Sequence, residues 1–394
     1  MLSIEKTELL LLIAAVVAML VRRLRLPYSV GLVFAGIVLA SLPFAPNIQL
    51  TKELIFNAFL PPLIFEAAFY INWKELSKDL PVVLLLATVG VLLSAGVTTL
   101  GMHYIAHWDW ISSLLFGVLI AATDPVSVIA TFKEAGVHGR LRQLVEAESL
   151  FNDSTAAVAF GIAIAIASGS QISASQIAVS LVLTIAGGII CGAIVAGMVL
   201  LLAGKTEDPL VEITFTTVAA YGSFLLAEHL HVSGVLATLT AGLIVGNIGS
   251  LGAISDGGRV AVCSFWEYIA FVVNSLIFLL MGMLEAHQDF MLVLFPIAIA
   301  IVCVTLGRAI SIYLCCATFN GSSLKVKTNY QHVLFWGGLR GALALALALG
   351  LPLGLPYRNE IITVSFAVVA FSIFVQGLTI TPLLQAIGEI NPSE

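Results

Sequence analysis

Apolar residues fall in long blocks separated by short polar punctuation along nearly the whole chain. A bilayer-spanning helix needs about 20 predominantly apolar residues, and on that scale the pattern predicts thirteen helical spans. Their approximate extents are 7–21, 28–42, 51–70, 80–102, 111–132, 139–167, 173–203, 208–228, 231–248, 260–284, 289–318, 330–350 and 360–387. The sixth, seventh and eleventh exceed one perpendicular crossing, which predicts tilt or extension beyond the hydrocarbon. The longest gaps, near 249–258 and 320–329, are about ten residues and too short to fold alone. The expected class is an all-α integral membrane protein, a single transmembrane unit without a soluble domain.

Composition agrees. Hydrophobic residues make up 60% of the chain and charged residues 10%, against about 25% charged in soluble domains. The net charge of −6 is mild, and no basic tail or basic-aromatic patch points to nucleic acid. The five cysteines form no CxxC pair and read as small core residues. The basic cluster Arg22, Arg23 and Arg25 follows the first apolar block instead of preceding it, so that block reads as a retained helix and not a signal peptide.

Charge also sets direction. With the N-terminus outside, the inner loops hold Arg22, Arg23, Arg25, Lys74, Lys78, Lys133, Arg140, Arg142, Lys205, Arg259, Lys325 and Lys327. The outer segments hold only Lys6, Lys52 and Arg358. Lys and Arg gather on the cytoplasmic side, so an odd number of spans with a cytoplasmic C-terminus is expected. Thirteen permits two inverted six-helix repeats, over about 7–167 and 208–387, joined by a linker helix over about 173–203.

Six ionisable residues lie well inside the spans: Glu66, Asp124, Glu148, Asp153, Arg308 and Arg340. Each opposes insertion by about 2.5–3.5 kcal/mol at a helix centre. Four acids and two bases cannot all pair, so the excess needs protons or a bound cation. In the fifth span, Pro125 removes a donor and biases Asp124 away from helical dihedrals, predicting a break at Thr123–Asp124–Pro125. In the twelfth, Gly337, Gly338 and Gly341 flank Arg340 and permit unwinding. Two such breaks leave half-helix ends of opposite partial charge, which Asp124 and Arg340 could neutralise. Arg340 could instead snorkel to the inner headgroups.

The sixth span carries VEAESLFNDSTAAVAF. Ser149 and Asp153, spaced i, i+4, share one face, and Glu148 and Asn152 share a neighbouring one. The first face offers hard oxygens to a cation. The second offers a carboxylate to a base, with Arg308 the best partner for Glu148. Asn152 is expected to bind the broken backbone of the fifth span. Glu66 follows Pro61 and Pro62 in the third span and reads equally as a site acid or an acid near the inner helix end.

At these motifs the chain resembles the monovalent cation/proton antiporters of the NhaP-type, NHE-like branch. FLPPLIFEAAF, ATDPVSV, ESLFNDSTAAV, NSLIFLLMGM and GGLRGALALAL occur in order over almost the whole chain. The resemblance implies an NhaA-like fold of thirteen helices with crossing broken helices, a homodimer, and alternating access by movement of a core domain. It implies residence in a bacterial or archaeal plasma membrane, with a monovalent cation and a proton as ligands and no cofactor. It also implies a Na+ site at Asp153, Asp124, Ser149, Glu66 and the Thr123 carbonyl, and a structural ion pair between Glu148 and Arg308. Asn152 replaces the first Asp of the electrogenic branch's Asp-Asp pair. Because Asn152 cannot ionise, electroneutral exchange of one Na+ (or Li+) for one H+ is expected.

A K+/H+ antiporter of the same fold would use the same residues. A cation channel would need a filter loop, which no segment resembles. An intramembrane enzyme would need a motif such as HExxH, whereas the seven histidines lie at loop ends.

Overall fold

The computed structural model describes residues 4–24, 27–42, 51–124, 128–129, 132, 136–168, 174–249 and 254–390. The helices are α1 (Ile4–Leu24), α2 (Tyr28–Ala40), α3 (Leu54–Tyr70), α4 (Trp73–Tyr104), α5 (Trp110–Leu119), α6 (Arg140–Ala167) and α7 (Ala174–Ala203). They continue as α8 (Pro209–His229), α9 (Gly234–Ile248), α10 (Asp256–Glu285), α11 (Phe290–Ala317), α12 (Thr328–Trp336), α13 (Ala342–Leu349) and α14 (Arg358–Ala386). Among the described residues the only β-type pairing is an isolated bridge between Asp124 and Leu339.

Helices occupy most of the apolar blocks to within a few residues, but the fourth starts at Trp73, the helix of the fifth block ends at Leu119, and they are not thirteen uniform rods. Seven described helices are long and apolar enough to cross a membrane alone: α4, α6, α8, α10, α11, α14 and most of α7. Five apolar helices are shorter, and the block at 330–350 is split into α12 and α13. The split follows from Gly337, Gly338 and Gly341, which carry no side chain to hold a helical register. Pro125, named above as the breaker of the fifth span, and Arg25 and Lys133 lie outside the described residues.

Local chemistry sets several helix starts. Asp109 caps α5 by accepting from the amides of Ile111 and Ser112, at 3.0 Å each. Asp208 caps α8 ahead of Pro209, and Ser233 caps α9. Large apolar side chains such as Met19, Phe34, Val182, Leu201 and Leu292 are more than half exposed. That distribution suits a surface solvated by lipid.

The chain forms two compact units, Met1–Ile55 with Pro81–Ala156 and Ser275–Glu394, and Phe56–Leu80 with Ala157–Asn274. The second has a core of Phe65, Phe69, Val195, Val245 and the fully buried Trp266. Trp266 lies 4.6 Å from the Phe65 ring and donates to Thr216 Oγ1 at 3.0 Å. Asn247 accepts from the Trp73 amide and donates to the Ile71 carbonyl, fixing the α3–α4 turn. Glu66 belongs to this unit, half-buried on α3.

Small residues knit the first unit. Gly90 faces Ser311, Gly307 faces Ser94 and Gly101 faces Cys303, so α4 and α11 approach closely along their length. Gly36 and Gly282 bring α2 and α10 into backbone contact, each glycine lying against a carbonyl of the other helix (Leu279 and Val33). Without a hydrophobic drive between helices in lipid, such contact is a main source of association. Gly282→Val is therefore expected to cost about 1–3 kcal/mol by overpacking, read as a lower melting temperature in detergent. An unchanged melting temperature would show that α2 and α10 do not depend on this contact.

Candidate functional site

The site is built where two helices stop. α5 ends at Leu119 and the chain runs unwound to Asp124; α12 ends at Trp336 and helix resumes only at Ala342. The unwound strands pair antiparallel, the Asp124 amide donating to the Leu339 carbonyl at 2.8 Å. Each then neutralises the other. Arg340, buried, donates through Nη1 to the carbonyls of Ala121 (2.9 Å) and Ala122 (3.1 Å), just beyond the negative end of α5. Asp124 lies against Gly341, the cap residue just before α13, where the helix end is positive. Gly341 is required there, because a Cβ would overlap the Asp124 carboxylate. Arg340 therefore does not snorkel to the headgroups. Its guanidinium caps unwound backbone inside the protein.

α6 supplies the hydroxyl and carboxylate. Ser149 Oγ donates to the Thr123 carbonyl at 2.5 Å and accepts from Thr123 Oγ1 at 3.3 Å. The Thr123 amide faces the Asp153 carboxylate, and Asp124, Glu148 and Arg340 lie within electrostatic reach of it. Asp153 Oδ1 is buried and finds no hydrogen-bond partner among the described residues. Asp153, Asp124, Ser149 and the Thr123 carbonyl thus converge within the first unit. Among the described residues no three His, Cys, Asp or Glu side chains form a metal-holding group. The cluster instead mixes carboxylate, hydroxyl and carbonyl oxygens.

Glu148 and Arg308 face each other as a two-pronged pair, at 2.7 Å (Nη1–Oε1) and 2.8 Å (Nη2–Oε2). Arg308 also donates from Nη2 (2.9 Å) and Nε (3.3 Å) to the Leu334 carbonyl of α12. A buried arginine with a bidentate carboxylate and a carbonyl has little unmet hydrogen-bonding demand. The Asn152 amide nitrogen donates to Glu148 Oε1 at 3.2 Å, the contact that i, i+4 spacing provides. The backbone that follows Asp124, toward which Asn152 was expected to reach, lies outside the described residues. Asn152 Oδ1 has no partner among the described residues.

The family model described as "Sodium/hydrogen exchanger, transmembrane" matches residues 10–386. The chain belongs to the sodium/hydrogen exchanger family. The Na(+)/H(+) antiporter ApNhaP of Aphanothece halophytica is 41% identical over 374 residues, covering 93% of this chain and 71% of that protein. The Na(+)/H(+) antiporter NhaH of Halobacillus dabanensis is 32% identical, covering 97% of each. The sodium proton antiporter MjNhaP1 of Methanocaldococcus jannaschii shares the fold, with a TM-score of 0.76 over 98% of this exchanger and 97% of that chain at 18% identity.

Sequence reasoning missed Leu334, Leu339 and Ser372, which hold the exchanger's broken helices. Ser372 Oγ accepts from the Arg340 amide at 3.0 Å. Two of the three act through the backbone, which leaves no residue-type signal, and Ser372 is one serine among many.

Two outcomes follow for this exchanger. Removing one member of the buried pair costs about 3–5 kcal/mol, so Glu148→Gln and Arg308→Met each lower the melting temperature and folded yield. The double variant loses less than the two losses combined; strict additivity would mean the pair is not coupled. Gly341→Ala displaces the Asp124 carboxylate and is expected to abolish cation-dependent proton movement in liposomes while Ala342→Gly does not. Equal activity in the two would separate Asp124 from the site.

Proposed function

We propose that this chain is a secondary antiporter exchanging Na+ (or Li+) for H+, one for one and without net charge movement, at Asp153. The observation that carries the reading is the buried Asp153 Oδ1, without a partner among the described residues, beside Asp124, Ser149 and the Thr123 carbonyl. A buried acceptor left unmatched costs about 1–3 kcal/mol or more, a cost removed when a proton or a cation takes the oxygen. Both ligands need the same carboxylate, so they exclude one another. Asn152 cannot ionise, which leaves one proton carrier in the pair. Relatives named Na(+)/H(+) antiporters favour sodium, and a K+/H+ antiporter is the second reading.

The same proposal counts α12 and α13 as one interrupted crossing. With the seven long and five shorter apolar helices that makes thirteen, the N-terminus outside and the C-terminus cytoplasmic. The breaks after α5 and α12 then take equivalent places in two inverted repeats, with α7 as linker. Alternating access follows if the site changes side only when holding either ligand. A homodimer in a bacterial or archaeal plasma membrane completes the reading.

In proteoliposomes with an internal pH dye, challenged with each alkali cation, Na+ or Li+ is expected to drive proton movement and Asp153→Asn to abolish it. Apparent cation affinity should fall as pH drops, approaching about tenfold per pH unit where one proton competes. With valinomycin imposing a potential, rate and end point should not respond. A response to potential would end the one-for-one mechanism, and selective activity with K+ would replace sodium as substrate.

A further inference from the structure

Beside the crossing lies a small cavity lined by Thr305, Arg308, Gly338, Arg340, Ser372 and Gln376 among others, with ≈ 10 Å³ of space for the centre of a water-sized sphere. That is about the threshold for one water. Two polar side chains line it with hydrogen-bonding atoms that meet no described residue. Arg340 is 2% exposed and its hydrogen bonds are made by Nη1 and the backbone amide, leaving Nε and Nη2 unmatched among the described residues. Gln376 is 7% exposed, and its carboxamide makes no hydrogen bond to a described residue.

The placement of Gln376 is built into the backbone. Ser372–Gln376 is a π-helical turn inside α14, a widening that costs regular hydrogen bonding and is concentrated at functional sites. It begins at Ser372, which accepts from the Arg340 amide, and ends at Gln376, so both residues face the same stretch of unwound chain. A buried guanidinium and a buried amide, each with unmet hydrogen bonds around a water-sized space, are matched by a molecule that both accepts and donates. Water does this and brings no charge. A halide accepts only, and Arg308, the other cation on the wall, is already matched by Glu148.

We propose that Gln376 is a positioning residue of the exchange reaction, holding the Arg340 guanidinium on the Ala121 and Ala122 carbonyls through one buried water. Arg340 acts on Asp153 electrostatically, so Gln376 tunes the competition between cation and proton without touching either. This rests on the antiport reading above.

The test compares Gln376→Met, of similar volume but apolar, with Gln376→Glu, which keeps an acceptor for water. Apparent cation KM and maximal rate are measured across pH in proteoliposomes, with melting temperature recorded for each protein. Gln376→Met is expected to raise the cation KM by about three- to tenfold, with little change in maximal rate. Gln376→Glu should keep exchange but displace its pH profile, because a carboxylate now shares Arg340. A packing role predicts the reverse order, Met resembling wild type and Glu failing as a buried charge. That order, or unchanged KM and pH profiles in both, overturns the proposal. Should Gln376→Met not fold, the pH profile of Gln376→Glu decides alone, and identity with wild type refutes it. Replacing chloride by gluconate should leave the wild-type KM unchanged; a shift that Gln376→Glu removes would put an anion in the cavity and overturn the water. A wild type that exchanges no cation for protons would refute the antiport reading instead, and the two failures are distinct.

Discussion

Arg308 holds together the parts of the first unit that matter most. Its guanidinium joins three helices: α11, which carries it; α6, through both oxygens of Glu148; and α12, through the Leu334 carbonyl. Asp153 and Ser149 ride on the same helix as Glu148, so the position of α6 against α11 sets where the candidate ligands lie. Gly338 packs directly on the guanidinium, and a side chain there would strike it. The start of the unwound strand after α12 is thereby fixed by the ion pair. Desolvating two charges is expensive, and a pair that also orders a break in a helix does something an apolar pair of equal volume could not.

From that fixed point the crossing is a problem in backbone satisfaction. Unwound chain at membrane depth leaves amides and carbonyls without helical partners, which is tolerable only inside protein. Here the open groups are met one by one. The Asp124 amide takes the Leu339 carbonyl, the Ala121 and Ala122 carbonyls take Arg340, and the Arg340 amide takes Ser372. The strands are short because few such partners exist. The two ionisable residues at the crossing, Asp124 and Arg340, thus stand at opposite half-helix ends.

Much of this was legible in the residues. Apolar block length located the helices, because a membrane helix has to meet a fixed thickness. An Asp-Pro pair and a cluster of glycines around Arg340 marked both breaks, since each removes what a helix needs. Glu148 and Arg308 were matched by elimination, as charges with no other outlet. What was hidden is whatever acts through the backbone or through a change of register. The Leu334 carbonyl has no signature in sequence. The π turns at Leu54–Phe59, Leu86–Gly90 and Ser372–Gln376 rotate everything beyond them, and helical periodicity does not foresee them. The Asn152 side chain was read as reaching toward the broken fifth span; among the described residues its amide donates to Glu148 one turn earlier.

That contact bears on why an amide stands beside the proposed proton carrier. An acid at 152 would sit one turn from Glu148 and compete with it for Arg308. An amide donates to Glu148 instead of repelling it, which suits the two-pronged geometry of the ion pair. On the proposed mechanism the charge that changes during exchange is confined to Asp153. One-for-one exchange is what that proposal draws from a single ionisable member of the pair. A site with two titrating neighbours would move the scaffold's charge along with the cargo's, while one with a lone carboxylate leaves proton and cation as alternatives for the same oxygen.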